Sequence, residues 1–348
     1  MNADQNAPIR TPWDTPPDIG GVIEIAEGVL WVRLPLPMKL DHINVFAFDE
    51  GDHWTIVDTG FYSQKGVEIW EQILAGPLGR KPVGRVVVTH HHPDHIGMAG
   101  WFMERFGAEL VMTRVAWLTA RMLRLDVQER PPEETLLYWR RMGMDPEIYD
   151  QRANDRPFNT DQIVYNLPLG FTRIREGDVI RMGGRDWDVH TGDGHAPEMA
   201  TFWSRDDRLI LGADQLLPSI SPNLGIYPTE LEANPVIDFM ACCQVLIPLA
   251  NDDHLVLPGH KLVFTGLPAR LKQLVDHHEN ALDRLHRWLE TPATTHQSMP
   301  TLFKRTIKGG EYGLALVEAA AHMNALHHAG RVERWIDDAT GAYLYKAT

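Results

Sequence analysis

The stretch VGRVVVTHHHPDHIG, residues 83–97, joins a run of β-branched residues to a cluster of histidines. Its first seven residues have the composition of a buried strand, and the residues after the cluster are predicted to begin a helix. In an extended loop, side chains two residues apart point the same way, so His90 and His92 face one position. Asp94 and His95 follow after a turn and can face a second position. The spacing His-x-His-x-Asp-His therefore predicts a loop that contributes ligands to two metal ions.

One loop does not supply enough ligands for two ions, so further ligands are expected elsewhere in the chain. Three short motifs qualify because each follows a strand-like run, and sites are commonly built on loops at strand ends. The motifs are GDGHAP at 192–197, GAD at 212–214 and PGH at 258–260. They add His195, Asp214 and His260 to the candidate ligands.

Composition and charge exclude several classes of protein. The 348 residues include 33 Lys and Arg against 47 Asp and Glu, and the resulting net charge of −14 disfavours nucleic acid as a partner. The two cysteines, Cys242 and Cys243, are adjacent, which predicts neither a disulfide framework nor a Cys-type zinc knuckle. No apolar run approaches the roughly 18–20 residues that cross a bilayer, and the polar, Pro-rich start is unlike a secretory signal. A cytoplasmic location and no membrane partner are expected.

Secondary-structure patterns predict an α/β protein in which helices cover the sheets. Residues 1–20 contain too much proline for a helix and are interpreted as an N-terminal arm. Short strands, then strands alternating with helices, indicate one catalytic domain over residues 21–265. Within it, residues 114–156 are predicted to form a helical insertion broken by prolines. Residues 266–348 are predicted to form a C-terminal extension of helices followed by a hairpin, an order that resembles a winged helix.

These motifs resemble the metallo-β-lactamase fold superfamily, and most closely its glyoxalase II-like (hydroxyacylglutathione hydrolase-like) hydrolases. The resemblance covers roughly residues 22–265 and implies an αββα sandwich with the metals at one edge. It is carried by five motifs: IVDTG at 56–60, THHHPDH at 89–95, GHAPE at 194–198, LGAD at 211–214 and LPGH at 257–260.

The resemblance also implies how the ligands divide between two divalent ions. The first ion is assigned His90, His92 and His195, the second is assigned Asp94, His95 and His260, and Asp214 bridges both. Asp58 is implied to orient the ligand loop from behind. Zinc is the expected metal, and manganese or iron are alternatives because imidazole and carboxylate accept all three.

The implied reaction is hydrolysis, in which a hydroxide that bridges the two ions attacks the carbonyl of a thioester or lactone. Asp94 or Asp214 is expected to carry the proton to the leaving group. Diiron flavoproteins of this fold carry Glu where this chain has His92, and antibiotic-hydrolysing relatives lack an aspartate at the position of Asp214. Two alternatives stay open: a nuclease or phosphodiesterase acting on RNA or nucleotides, and a mononuclear iron sulfur-dioxygenase.

The substrate is expected to be a small acyl compound, and three residues are candidates for binding it. The Met- and aromatic-rich segment 114–156 is interpreted as a lid over the site or as an insertion packed for stability. In the lid interpretation, Arg121 or Arg140 meets a carboxylate or phosphate. Tyr227, in the loop after Asp214, can donate a hydrogen bond to a substrate carbonyl. A homodimer is left open as the assembly.

Overall fold

The computed structural model describes residues 8–348, and its chain divides into two compact units. The first seven residues of the predicted N-terminal arm lie outside the described residues. The first unit extends to Val127 and also contains Asn159–Pro222 and Leu249–Arg270. The second contains Gln128–Phe158, Asn223–Pro248 and Leu271–Thr348.

Two β-sheets form the frame of the first unit. In spatial order the larger sheet contains β1 (Val22–Ala26), β2 (Val29–Pro35), β3 (His42–Asp49), β4 (Trp54–Val57), β5 (Val83–Val87), β6 (Glu109–Thr113) and β7 (Thr172–Ile174). The smaller sheet contains β12 (Leu255–Pro258), β11 (Leu209–Ala213), β10 (Met199–Ser204), β9 (Arg185–Gly192) and β8 (Val179–Met182). Both sheets are mixed, because β4 to β7 pair in parallel, as do β11 and β12, while the other neighbours are antiparallel.

Four helices belong to this unit: α1 (Gln64–Ala75), α2 (Pro93–Ile96), α3 (Ala99–Phe106) and α4 (Arg114–Leu125). Successive residues of a strand point to opposite faces, and β3 uses both faces for packing. Val45 and Ala47 join a core that includes Trp70 of α1, whereas Phe46 and Phe48 join the core between the two sheets. This alternation explains why the sequence of β3 is a nearly continuous apolar run. The predicted α/β fold, in which helices flank two sheets, is confirmed.

The second unit is mainly helical. It contains α5 (Glu133–Arg141), α6 (Pro146–Asn154), α7 (Pro235–Leu246), most of α8 (Leu267–Trp288), α9 (Thr295–Phe303) and α10 (Tyr312–His328), followed by the hairpin of β13 (Val332–Ile336) and β14 (Tyr343–Ala347). Helix α10 packs against α7 and α9 and buries Leu316, Ala320 and Met323. The predicted order of helices followed by a hairpin is found, while the likeness to a winged helix stays a prediction.

The segment 114–156 does not lie within one unit. Helix α4 belongs to the first unit, whereas α5 and α6 belong to the second. Its function as a lid therefore stays a prediction. Across residues 8–348, every helix is too short or too polar to cross a membrane.

Candidate metal centre

Seven candidate ligands come from four segments of the first unit, and two of them, Asp94 and His95, lie in α2. The segments follow β5 of the larger sheet and β9, β11 and β12 of the smaller sheet, so strands of both sheets end in one region. The donor atoms converge in three overlapping groups, and within each group the atoms lie within 4.8 Å of one another. The groups are His90, His92 and His195; His90, His95 and Asp214; and Asp94, His95 and His260.

The first group consists of three imidazoles. The Nδ1 atom of His92 lies 3.0 Å from Nε2 of His90 and 3.0 Å from Nε2 of His195. Burial, reinforced by the neighbouring histidines, lowers the pKa of His90 and the pKa of His92 well below the ordinary value. Both rings are therefore neutral at physiological pH, which is the form that binds metal ions.

Asp214 lies between the two ends of the cluster. Its Oδ2 atom is 3.3 Å from Nε2 of His195 and 3.3 Å from Nε2 of His260. Nε2 of His260 is also 3.5 Å from Oδ2 of Asp94, and Nε2 of His95 is 3.8 Å from the same oxygen. One carboxylate therefore lies close to nitrogen donors from both groups, and its role as a bridging ligand stays a prediction.

The electrostatics of the cluster attract positive charge. Burial raises the pKa of Asp214, but His260 and His95 outweigh burial and hold that pKa well below its usual range. Burial lowers the pKa of His95, yet Asp58 and Asp214 outweigh it and raise that pKa well above the ordinary value. The carboxylates of the site therefore favour positive charge at its centre, which is the position that metal ions would occupy.

Two buried atoms show that the residues fit metal ions. Nε2 of His95 and Oδ1 of Asp214 are inaccessible to solvent and have no hydrogen-bond partner within residues 8–348. Leaving such atoms unsatisfied is costly, and a divalent cation in the cluster would satisfy both. Nitrogen and oxygen donors of this kind suit zinc, manganese or iron, so the clusters are consistent with a dinuclear metal site.

Asp58 lies behind the cluster, at the end of β4. Its carboxylate accepts hydrogen bonds from the backbone N–H of Thr89 at 2.9 Å and from Nδ1 of His95 at 2.7 Å. The residue adopts a left-handed backbone conformation with φ 60°. Asp58 therefore joins the start of the ligand loop to the His95 ring by hydrogen bonds, and its role in orienting metal ligands stays a prediction.

Two residues at the start of β3 support His260, and the motifs of the sequence do not include either of them. The amide of Asn44 donates to the carbonyls of Pro258 at 2.9 Å and Lys261 at 2.8 Å. The carbonyl of His42 accepts a hydrogen bond from Nδ1 of His260 at 2.8 Å. A buried Asn in an apolar strand was the available signal, because such a side chain needs hydrogen-bond partners.

The two arginines among the candidates for substrate binding donate hydrogen bonds to other groups of the protein. Nη1 of Arg121 donates to the carbonyl of Leu167 at 2.6 Å, and Nη2 of Arg140 donates to the hydroxyl of Tyr149 at 3.1 Å. Tyr227 belongs to the second unit and is 45% exposed. Their roles in binding substrate stay predictions.

Comparison with known proteins identifies relatives along the whole chain. The model of the metallo-beta-lactamase superfamily matches residues 38–285, and the model of a metallo-beta-lactamase-like C-terminal domain matches residues 282–348. The crystal structure of a beta-lactamase domain protein from Burkholderia ambifaria is 33% identical, with a TM-score of 0.88 and coverage of 98% of each chain.

Two curated relatives are more distant. The probable metallo-hydrolase YqjP of Bacillus subtilis is 25% identical over 314 residues, which cover 86% of this chain and 92% of the relative. The hydroxyacylglutathione hydrolase GloC of Haemophilus influenzae is 24% identical over 232 residues, which cover 64% of this chain and 91% of the relative.

Proposed function

The chain belongs to the metallo-beta-lactamase superfamily, and from this premise we propose that it is a metal-dependent hydrolase that cleaves a small thioester or lactone. The observation that carries the proposal is the position of Asp214. Its carboxylate lies at equal distances of 3.3 Å from His195 and His260, so it can serve two ions at once. A carboxylate within reach of both sets of nitrogen donors supports two ions rather than one.

The bound ions would supply a hydroxide near neutral pH and polarise the carbonyl under attack, because a metal-bound water has a pKa of about 7. Two carboxylates of the protein are assigned separate roles beside these ions. The side chain of Asp94 is 18% exposed against 8% for Asp214, so Asp94 is the more accessible carboxylate. We assign to Asp94 the transfer of a proton to the leaving thiolate or alkoxide, while Asp214 holds the cluster together.

A relative and the net charge of the chain support a thioester or lactone as the substrate. The relative from Haemophilus influenzae is named for the hydrolysis of hydroxyacylglutathione, which is a thioester. The net charge of −14 disfavours polyanionic substrates such as RNA. A thioester or lactone carbonyl is neutral, so the overall field of the protein does not oppose its approach.

The proposal is tested with a substrate panel and a metal analysis of the purified protein. Acylglutathione, acyl-CoA, lactone and phosphodiester substrates are compared at equal concentration, and metal content is measured by mass spectrometry. We expect two ions per chain and turnover of a thioester or a lactone. Turnover of the phosphodiester alone, or a single iron with oxygen consumption, would refute the proposal.

Matched histidine variants connect the activity to the site. His92→Ala removes a ligand and is expected to abolish turnover and release metal. His91→Ala alters the adjacent residue, which belongs to none of the three donor groups found in residues 8–348. We expect His91→Ala to keep both ions, and equal losses in the two variants would contradict the assignment of ligands.

A further inference from the structure

A cavity of about 600 Å³ lies entirely within the second unit, among α8, α9 and α10. None of its lining residues belongs to the metal cluster. It is lined by three permanent cations, two histidines, an amide, a carboxyl and two apolar side chains: Arg284, Arg287, Lys304, His277, His322, Asn280, Glu318, Leu302 and Phe303. The volume lies within the range of small-molecule sites, which combine apolar walls with a few polar groups.

The cations of this cavity are not neutralised by neighbouring carboxylates. Arg284 donates to the carbonyls of Thr301 at 2.9 Å and Leu302 at 2.8 Å, so it ties α8 to the end of α9. Burial and the neighbouring Arg287 lower the pKa of Arg284. Within residues 8–348, Arg287 and Lys304 have no side-chain hydrogen bond or ion pair. Both side chains are exposed, so their charges are available to an anion that enters the cavity.

Lys304 shows a second unusual feature. It ends α9 in a left-handed conformation with φ 55°, a position at which glycine is the ordinary residue. A side chain other than glycine is disfavoured in this conformation, because its Cβ atom crowds the backbone. Strained residues of this kind cluster at functional sites, and here the strained residue is one of the two unpaired cations.

Glu318 and His322 also line the cavity, and burial favours the neutral form of each side chain. Oε2 of Glu318 accepts a hydrogen bond from the Asn223 amide at 2.8 Å, and burial raises the pKa of Glu318 to about 7. His322 donates from Nδ1 to the carbonyl of Glu318 at 2.9 Å, and burial lowers its pKa to about 4. The cavity therefore carries net positive charge inside a chain of net charge −14.

We propose that this cavity is a binding site for a small organic anion, whose carboxylate or phosphate meets Arg287 and Lys304 while its apolar part lies against Leu302 and Phe303. A carboxylate and a phosphate would be recognised in the same way, because both present oxygens to the guanidinium of Arg287 and the ammonium of Lys304. The site is independent of the metal cluster in its residues, and it remains if the proposed reaction is wrong.

The test measures binding of benzoate, phenyl phosphate and inorganic phosphate to the full chain by titration calorimetry, with benzamide as the uncharged counterpart. We expect saturable binding of phenyl phosphate or benzoate, whichever headgroup the cavity prefers, and none of benzamide. Binding of inorganic phosphate as tightly as of both aromatic anions would overturn the role of the apolar wall. Absence of saturable binding by all three anions would overturn the site.

Two variants with opposite expectations separate binding from folding. Arg287→Gln combined with Lys304→Gln should lower the affinity for the anion by about tenfold or more, because both charged hydrogen-bond donors are lost. The control, Lys308→Gln with Lys346→Gln, removes the same charge from exposed positions that do not line the cavity and should change affinity less than twofold.

The second variant, Glu318→Gln, keeps an oxygen that can accept from Asn223 and removes a negative charge. At pH 8 we expect it to bind the anion more tightly than the unaltered protein, a gain that misfolding does not produce. Equal weakening in the cavity and control variants, or weaker binding by Glu318→Gln, would overturn the proposal.

Discussion

Replacing Asp58 by asparagine should release one metal ion while leaving the other in place. The carboxylate accepts from the Thr89 backbone N–H through one oxygen and from Nδ1 of His95 through the other, at 2.9 Å and 2.7 Å. The asparagine amide offers one oxygen and one NH₂ group. Either the Thr89 N–H or the Nδ1–H of His95 must therefore face the NH₂ group, which is itself a donor. The backbone N–H cannot change, whereas the His95 ring can move its hydrogen from Nδ1 to Nε2. In that tautomer Nε2 can no longer bind a cation.

The size of the effect follows from this change of tautomer. Losing the partner of a ligating histidine costs about 10–100-fold in metal affinity, which corresponds to roughly 1.4–2.7 kcal/mol. Only the ion that His95 serves should be affected, because His90, His92 and His195 have no hydrogen bond to Asp58 in the described structure. Asn adopts left-handed conformations as readily as Asp, so the backbone at φ 60° is preserved.

Chelator competition with metal analysis measures the prediction directly. The unaltered protein should retain two ions at a chelator concentration that leaves Asp58→Asn with one. The control is Asp52→Asn, since Asp52 accepts from Nδ1 of His53 at 2.6 Å on the surface and changes the same pair of residue types outside the site. If Asp58→Asn keeps both ions with unchanged affinity, or loses both equally while still folded, the reasoning is refuted.

Three further outcomes are expected. A Cβ atom at Gly259 would overlap Oδ1 of Asp214, so Gly259→Ala should lower the free energy of unfolding by about 1–3 kcal/mol and displace metal, as thermal unfolding and metal analysis would show. Asn44→Ala removes the hydrogen bonds to the Pro258 and Lys261 carbonyls and should weaken the ion bound by His260 about 10–100-fold, whereas unchanged chelator competition would contradict this. Saturating metal at 100 times its dissociation constant should stabilise the chain by about 2.7 kcal/mol per site, so chelation should lower Tm more in the unaltered protein than in His92→Ala, which keeps only the ligands of the second ion.

Periodicity and local motifs made much of the fold predictable. Helix α8 is predictable from apolar residues spaced three or four apart, and its side chains at those positions are buried, including Leu271, Leu274 and Leu285. His278 occupies the same stripe and is fully buried as well. The ligand loop was predictable for a similar reason, because four of its donors lie within six consecutive residues.

Features that depend on distant contacts were not predictable from sequence. Helix α7 is apolar around much of its circumference and therefore shows little helical period, and α9 contains Pro300, which indicates a break. The bond from Asn44 to Pro258 joins residues 214 positions apart, so no local pattern reports it. The assignment of α4 and α5 to different units is likewise a property of long-range contacts rather than of the sequence between them.

Backbone strain at the site explains why metal binding and folding should be linked. Six residues other than glycine have positive φ within residues 8–348, and four of them lie at or within three residues of a candidate ligand or its support: Asp58, Glu198, Ala213 and Lys261. Such conformations cost about 1–3 kcal/mol each and persist only where the surroundings enforce them. Ala213 and Lys261 flank the ligands Asp214 and His260, so relaxing either backbone would move a donor atom away from the cluster. A cation bound by those donors favours the strained arrangement over the relaxed one, and its binding energy becomes part of the free energy of folding.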